Sequence, residues 1–415
     1  MNSVKNKNKN LHATVLFAVC FFAYMTSYIG RNTFAALLTS MSGDGIIERE
    51  LAGTVATAYM LAYGVGQIVF GRLSQKVSPT FLMPLGLIGS GLANVAMAQS
   101  TSYAACLVLW GLCGAFNAML WPSLTRAFAE WLPDDRKRSA GVNISLTIPF
   151  GSVISLLLCS ILLKTMSWKA CYIACGTIVV LSGVITMIGF RSIGGYINKQ
   201  KQMFSNELSA KEGTAKARFP ARTLFGTLAI LIIPVAMING ALKDSLTSWA
   251  PTIVEDTFLT EPTFSSLVSI MLPVISVSGA YVAKFVDKYI KNELRTSAVL
   301  FAVVTACHVA LSLVGSLNVW LTITLLAVSV AATWGVNTMI ISLFPLRFAR
   351  IGASGAVSGV LNSGNCLFSG LMSTVYGMMS ANIGWTSVFA LCAIFGVIAI
   401  IASLVSSKTA GNIKY

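Results

Sequence analysis

Residues 11–40 read LHATVLFAVCFFAYMTSYIGRNTFAALLTS, a run with one fixed charge, Arg31. A helix needs about 20 mostly apolar residues to cross a bilayer. This run is long enough, and eleven more follow it: 51–71, 80–99, 103–128, 141–163, 169–190, 223–250, 264–283, 296–315, 318–344, 354–378 and 385–406. Open sheets cannot satisfy their backbone in lipid, and the runs are too long for barrel strands, so all twelve are expected to be helices. The bulk composition agrees: 415 residues, 55% hydrophobic and 10% charged, with a mean hydropathy of +0.77. These values exclude a soluble globule and indicate a polytopic membrane protein.

The net charge of +15 raises the question of nucleic acid, and the distribution of the charge answers it. Of the 29 Lys and Arg, 23 lie in the N-terminal tail, the loops after even-numbered spans and the C-terminal tail. They include Lys5, Lys7, Lys9, Arg72, Lys76, Arg136, Lys137, Arg138, seven between Arg191 and Arg222, Lys284, Lys288, Lys291, Arg295, Arg347, Arg350, Lys408 and Lys414. The opposite loops hold Arg49, Lys164 and Lys169. By the positive-inside rule both termini are expected in the cytoplasm, with the chain multi-pass in the cytoplasmic (inner) membrane. The basic excess is thus topology, and no nucleic-acid partner is expected. The basic start KNKNKN before an apolar run resembles a secretory signal. The run continues to about Leu38 without a small-residue cleavage site, so an uncleaved first helix is expected.

The chain repeats itself. Arg31 and Lys243 stand 212 positions apart, as do Arg72 and Lys284, and Gln75 and Asp287. The polar stretch 191–222, RSIGGYINKQKQMFSNELSAKEGTAKARFPAR, shows no sustained apolar face. The expected organisation is an N-terminal six-helix half (1–190), a cytoplasmic linker (191–222) and a C-terminal six-helix half (223–415). The fold class is an all-α membrane protein of twelve transmembrane helices in two pseudo-symmetric halves. Transporters built from repeats place substrate at the repeat interface near the bilayer midplane. A channel would not need two matched halves. An enzyme should show a nucleophile, a metal site or an acid/base cluster, and none is legible. The nine Cys and two His have no metal-ligand spacing, so neither metal nor cofactor is expected.

Arg31 and Lys243 are cations inside apolar spans. Such a residue costs on the order of 3 kcal/mol to insert and is usually retained for a task. Two at equivalent repeat positions suggest a central anion site. Tyr24, Tyr28 and Arg31 stand at i, i+4 and i+7 and so share one helix face. That face either presents hydroxyls and a cation to a cavity or forms an interfacial aromatic belt with a snorkelling arginine. Asp244 lies well inside the seventh span. It is either a proton-coupling group, since burial raises a carboxyl pKa, or a charge partner for a nearby cation, or a residue near a wet outer vestibule. Asn239, Asn362 and Asn365 are secondary candidates that more often make helix–helix hydrogen bonds.

Gly71-Arg72-Leu73-Ser74-Gln75-Lys76 and Lys284-Phe285-Val286-Asp287-Lys288 resemble the cytoplasmic loop signature of the major facilitator superfamily. The resemblance implies a cytoplasmic gate at Arg72, Lys76, Lys284, Asp287 and Lys288, working through charge pairs. Gln75 replaces the usual aspartate, so the first-half gate is expected to rely on hydrogen bonds. Within that superfamily the chain resembles the organophosphate:phosphate antiporters. Tyr24, Tyr28, Arg31 and Phe34 are similar to their first-span motif, and Ala62-Tyr63-Gly64 to their second. Gly114, Phe116, Asn117, Met119, Trp121-Pro122, Arg126 and Trp131 match the fourth span, and Lys243 with Trp249-Ala250-Pro251-Thr252 the seventh.

The resemblance implies that Arg31 and Lys243 grip the substrate phosphate. A guanidinium forks onto two oxygens, and an ammonium supplies a compact charge. Tyr24, Tyr28, Gln67, Asn117 and Trp121 join them as expected substrate-binding residues. Several family cations are changed: Asn32 and Gln67 stand where lysines are expected, Thr147 or Ile148 stands near the place of a histidine, and Cys366 replaces a tyrosine. The substrate is therefore expected to carry less charge than a doubly ionised phosphate ester, or to be a phosphonate, diester, sulfonate or carboxylate. The expected function is transport of a small organic anion, a phosphorylated metabolite exchanged for inorganic phosphate by alternating access. The alternative is a proton-coupled symporter of an organic carboxylate such as a sugar acid. A third class is a non-transporting sensor. The expected partners are the substrate, phosphate or a proton, and the lipid bilayer, with the chain acting as a monomer.

Overall fold

The computed structural model describes residues 2–47, 51–211, 227–260 and 262–410. Their regular structure is helical, and no strand occurs among the described residues. Nine helices among those residues are long and apolar enough to cross a membrane, and the described parts of the three other expected spans are helical too. The first six are α1 (Asn2–Gly43), α2 (Ala52–Leu73), α3 (Pro79–Met97), α4 (Tyr103–Asn117 and Leu120–Trp131), α5 (Asp134–Asn143 and Thr147–Leu162) and α6 (Trp168–Ser192). In α7, Thr227–Gly240 and Leu246–Phe258 flank a π-helical turn, Ala241–Ser245. Then come α8 (Pro262–Ile290), α9 (Glu293–Val314), α10 (Val319–Asn337, with further turns to Ile351), α11 (Ser354–Ile383) and α12 (Trp385–Ala410). Arg49, Lys414 and linker positions 212–222 fall outside the described residues.

Local chemistry sets the helix starts. An N-cap side chain satisfies backbone N–H groups that the first turn leaves open. Ser78, Ser102 and Ser167 accept from Thr80, Ala105 and Ala170 at the starts of α3, α4 and α6. Asn292 and Asn318 each accept two such bonds at the starts of α9 and α10. Pro79 occupies the first turn of α3, where no backbone donor is needed.

Two compact units result. One is Met1–Arg218 with Pro345–Ser363, and the other is Phe219–Phe344 with Gly364–Tyr415. The repeat reappears inside each. In the first, α3 packs on α6 and α2 on α4; in the second, α9 packs on α12 and α8 on α10. At the entry to α6, Trp168 Nε1 donates to Asp44 Oδ2 at 2.6 Å. At the entry to α12, Trp385 Nε1 donates to Asp256 Oδ2 at 2.9 Å. Asp44 and Asp256 are again 212 positions apart. Lacking a large hydrophobic drive in lipid, helices associate by close packing of small residues. Gly91 and Gly176 show this at the α3–α6 crossing, where a Cβ on either would lie 2.7 Å from the other's carbonyl oxygen.

The outward faces are apolar. Leu61, Val65, Leu157, Ile161, Ile398 and Ile401 are exposed, and a protein with so much exposed apolar surface needs lipid to cover it. The described part of the linker is a helix, Gly194–Lys211. It packs against the C-terminal part of α4, with Ile193 and Ile197 buried. The Tyr196 hydroxyl donates to the Trp131 carbonyl at 2.8 Å, and its ring stacks on His12. Lys201 lies over the Trp131 ring and donates to Ser78 Oγ at 3.3 Å. Partial burial, with Arg126 adding to it, holds the Lys201 ammonium below the usual lysine range against the pull of Glu130.

Candidate functional site

Arg31 sits in an aromatic cage within the first unit. Its guanidinium carbon lies 4.5 Å from the Tyr28 ring centre, 4.6 Å from Tyr63 and 5.8 Å from Tyr59. Tyr28 comes from α1; Tyr59 and Tyr63 stand one turn apart on α2. Ring faces attract a cation, each contact contributing about 0.5–2 kcal/mol. No carboxylate lies within ion-pair distance of Arg31 among the described residues. The charge is therefore solvated by π faces and keeps its hydrogen-bonding fork available.

The other residues expected in the first unit fall near this cage or support it. Tyr24 is buried, packing edge-on to Tyr28 and against Trp121 at 5.1 Å. Gln67, one turn beyond Tyr63, is fully buried, and both amide atoms lack a hydrogen-bond partner among the described residues. Trp121 Nε1 and Asn117 Oδ1 are likewise unpartnered, although Asn117 Nδ2 is committed to the Cys113 carbonyl at 3.0 Å. A buried polar group left unpaired costs about 1–3 kcal/mol, so each calls for an explanation. Asn362 of α11, assigned to this unit, donates to the Tyr63 hydroxyl at 3.2 Å. Asn32 points elsewhere, tying α1 to α5 through Ser152 Oγ at 2.8 Å. Thr147 bonds its own helix at Ile144.

In the second unit Lys243 is buried and not free. Its Nζ lies 2.7 Å from Asp244 Oδ1, and 4.7 Å from the Trp334 ring centre. Adjacent residues on an α-helix project about 100° apart; Ala241–Ser245 is wound as a π turn, which narrows that angle and lets the two side chains meet. Asn365 Nδ2 donates to Asp244 Oδ2 at 3.1 Å, and Asn239 Nδ2 donates to Asn365 Oδ1 at 3.2 Å. Gly240 permits this arrangement, because a Cβ there would strike the Asn365 backbone.

The expected gate residues divide by half. Arg72 and Lys76 are exposed, and neither pairs with an acid among the described residues. Their loop is held by Arg126, which donates to the Ser74 carbonyl and, at 3.1 Å, to the Val77 carbonyl. Arg126 also pairs with Glu130 at 2.6 Å. Gln75 is exposed in the same loop. In the second half Asp287 is buried and accepts from Thr296 Oγ1 at 2.7 Å; Lys284 is half-buried and Lys288 exposed.

Tyr59 and Trp334 were not legible as site residues. Tyr59, Tyr63 and Gln67 do stand at i, i+4 and i+8, one face of a helix. Nothing in that spacing says the face turns toward Arg31.

Residues 20–373 match the family model described as Major Facilitator Superfamily. The chain belongs to the Major Facilitator Superfamily. Among solved superfamily members, it is similar to the proton:xylose symporter XylE bound to 6-bromo-6-deoxy-D-glucose, with a TM-score of 0.74 and 13% identity, covering 96% of each chain. Among curated relatives, it is 23% identical over 182 residues to the probable hexose phosphate transport protein of Chlamydia muridarum, 44% of this chain and 40% of that protein. It is 23% identical over 310 residues to the glycerol-3-phosphate transporter of Bacillus subtilis, 71% of this chain and 69% of that protein. The matched region thus spans less than half the length of the first of these relatives. The protein is a multi-pass membrane protein of a transporter superfamily.

Proposed function

We propose that this protein is a secondary active transporter that exchanges a small phosphorylated metabolite for inorganic phosphate by alternating access. The observation that carries this reading is the Arg31 cage, a guanidinium inside a membrane span with aromatic walls and no carboxylate partner among the described residues. Such a group lowers its free energy most by forking onto an oxyanion. Tyr24 and Tyr28 flank it on α1, and the unpartnered atoms of Gln67, Asn117 and Trp121 are available to substrate oxygens. Lys243 is the second contact, supplied by the C-terminal half. Relatives named as hexose phosphate and glycerol-3-phosphate transporters support a phosphorylated substrate. The protein works as a monomer in the cytoplasmic membrane, both termini inside, with Arg72, Lys76, Lys284, Asp287 and Lys288 at the cytoplasmic gate.

The test is labelled phosphate uptake into proteoliposomes preloaded with phosphate. Exchange is expected, and glycerol-3-phosphate or a hexose phosphate should block it. Absence of phosphate exchange by monodisperse protein, together with sugar-acid uptake driven by a pH gradient, would overturn it in favour of carboxylate–proton symport.

A further inference from the structure

Within the second unit, the Asp244 carboxylate is held as a bound oxyanion would be. One oxygen, Oδ1, lies 2.7 Å from the Lys243 ammonium. The other, Oδ2, accepts from Asn365 Nδ2 at 3.1 Å. Both donors are fixed in place. Lys243 is buried, with the Trp334 ring centre 4.7 Å from its nitrogen. Asn365 is buried too, and its Oδ1 accepts from Asn239 Nδ2 at 3.2 Å. Asn239 Nδ2 is shared with Asn337 Oδ1 at 3.4 Å. These amides link α10, α7 and α11, and they leave Asn365 Nδ2 turned to the carboxylate. The carboxylate is the open partner: its side chain is 41% exposed and that of Lys243 8%. An exposed charge well inside a span faces water rather than lipid.

We propose that Lys243 Nζ and Asn365 Nδ2 form a two-point oxyanion site in the C-terminal unit, and that Asp244 is its tethered occupant, displaced when substrate binds. This rests on the transporter reading above in one respect, that Lys243 serves the substrate, and it makes Asn365 a second substrate contact. Two oxygens of a phosphate, a sulfonate or a carboxylate can each take one of these donors, as those of Asp244 do. Because Asp244 is the adjacent residue, it competes intramolecularly, at an effective concentration on the order of millimolar or above. Such a competitor lowers the apparent affinity for every anion without touching it. It also spares the buried ammonium from standing unpaired when the site is empty, which would be costly. On displacement the exposed carboxylate turns to water, while the two buried donors stay. Binding is thereby kept weak enough for release, which a carrier needs at every turnover.

The experiment is calorimetric titration of the purified full-length protein in detergent with inorganic phosphate, glycerol-3-phosphate, methanesulfonate and gluconate. Asp244→Ala should tighten binding of at least one of these anions fivefold or more, and Asp244→Ser serves if the Ala variant is not monodisperse. Adding Asn365→Ala, or Asn365→Val, to the Asp244 variant should remove most of that gain, because the second donor is lost. Mere removal of a nearby negative charge would leave the gain in place. Affinity that is unchanged, weaker or undetectable in both Asp244 variants, or a gain that survives loss of Asn365, overturns the site. Phosphate exchange by wild-type protein alongside either result leaves the transport reading standing. A gain confined to gluconate or methanesulfonate, in protein that exchanges no phosphate, overturns organophosphate exchange while upholding the site and its tethered occupant.

Discussion

At Arg31 the chemistry depends on more than charge. The guanidinium is planar, stacks on Tyr28 and Tyr63, and can still offer two parallel N–H groups to an oxyanion. An ammonium keeps the charge and loses both the stacking and the fork. Arg31→Lys is therefore expected to cut exchange at least tenfold, and Arg31→Ala to abolish it, with both proteins reaching the membrane in normal amount. Equal flux in Arg31→Lys would show that a point charge suffices. Lys243 poses a different problem, because its removal strands Asp244. An exposed ion pair contributes up to about 1 kcal/mol and loss of one partner of a buried pair costs about 3–5 kcal/mol; this pair, half open on the carboxylate side, belongs between them. Lys243→Ala should lower the melting temperature in detergent, and adding Asp244→Asn should recover most of the loss. A double variant no more stable than the single one would mean that the two side chains are not coupled.

At the scale of the element, helix packing is set by where glycine is used. A Cβ on Gly279 of α8 would overlap the Ala331 carbonyl of α10, so Gly279→Ala must push two helices apart. Gly370, midway along α11, has nothing within 4 Å of such a Cβ. In a helix interior Gly is less stable than Ala by about 0.5–1 kcal/mol for entropic reasons. Gly279→Ala should lower the melting temperature by several degrees, whereas Gly370→Ala should leave it unchanged or raise it. A second close seam runs along α2 and the first part of α11: a Cβ on Gly71 would lie 3.0 Å from the Gly355 carbonyl, and one on Gly359 would strike the Gln67 carbonyl. Thr125 of α4 adds a 3.0 Å hydrogen bond to Ser358. This packing buries Gln67 completely, which no property of Gln itself demands.

For the whole molecule, the distribution of basic residues predicts the orientation. Carbonyl and amide groups are satisfied within helices and lipid covers the apolar faces, so the translocation preference of Lys and Arg decides which loops stay inside. A fluorescent protein fused after Tyr415 should fold and fluoresce, and alkaline phosphatase fused there should be inactive. The opposite pattern would reverse the assignment of every loop, including the gate.

Class, span positions and internal repeat were determined by the sequence alone, because each is written in quantities that need no partner. Hydrophobic length states that a segment enters lipid, and a constant offset states that the halves are copies; Asp44 and Asp256, at that offset, each accept from a tryptophan, at the entry to α6 and to α12. Arg31 and Lys243 were also legible, since a cation inside an apolar run stands out in one dimension. Their surroundings were not. Tyr59 and Trp334 come from other helices, and no spacing along one chain says which faces meet. The sequence likewise left open whether Asp244 pairs with its own neighbour, because an ordinary α-helix would point the two apart; the π turn brought them together. Composition and periodicity act along the chain, whereas the environment of a buried charge is made by elements distant in sequence, and only the tertiary structure supplies it.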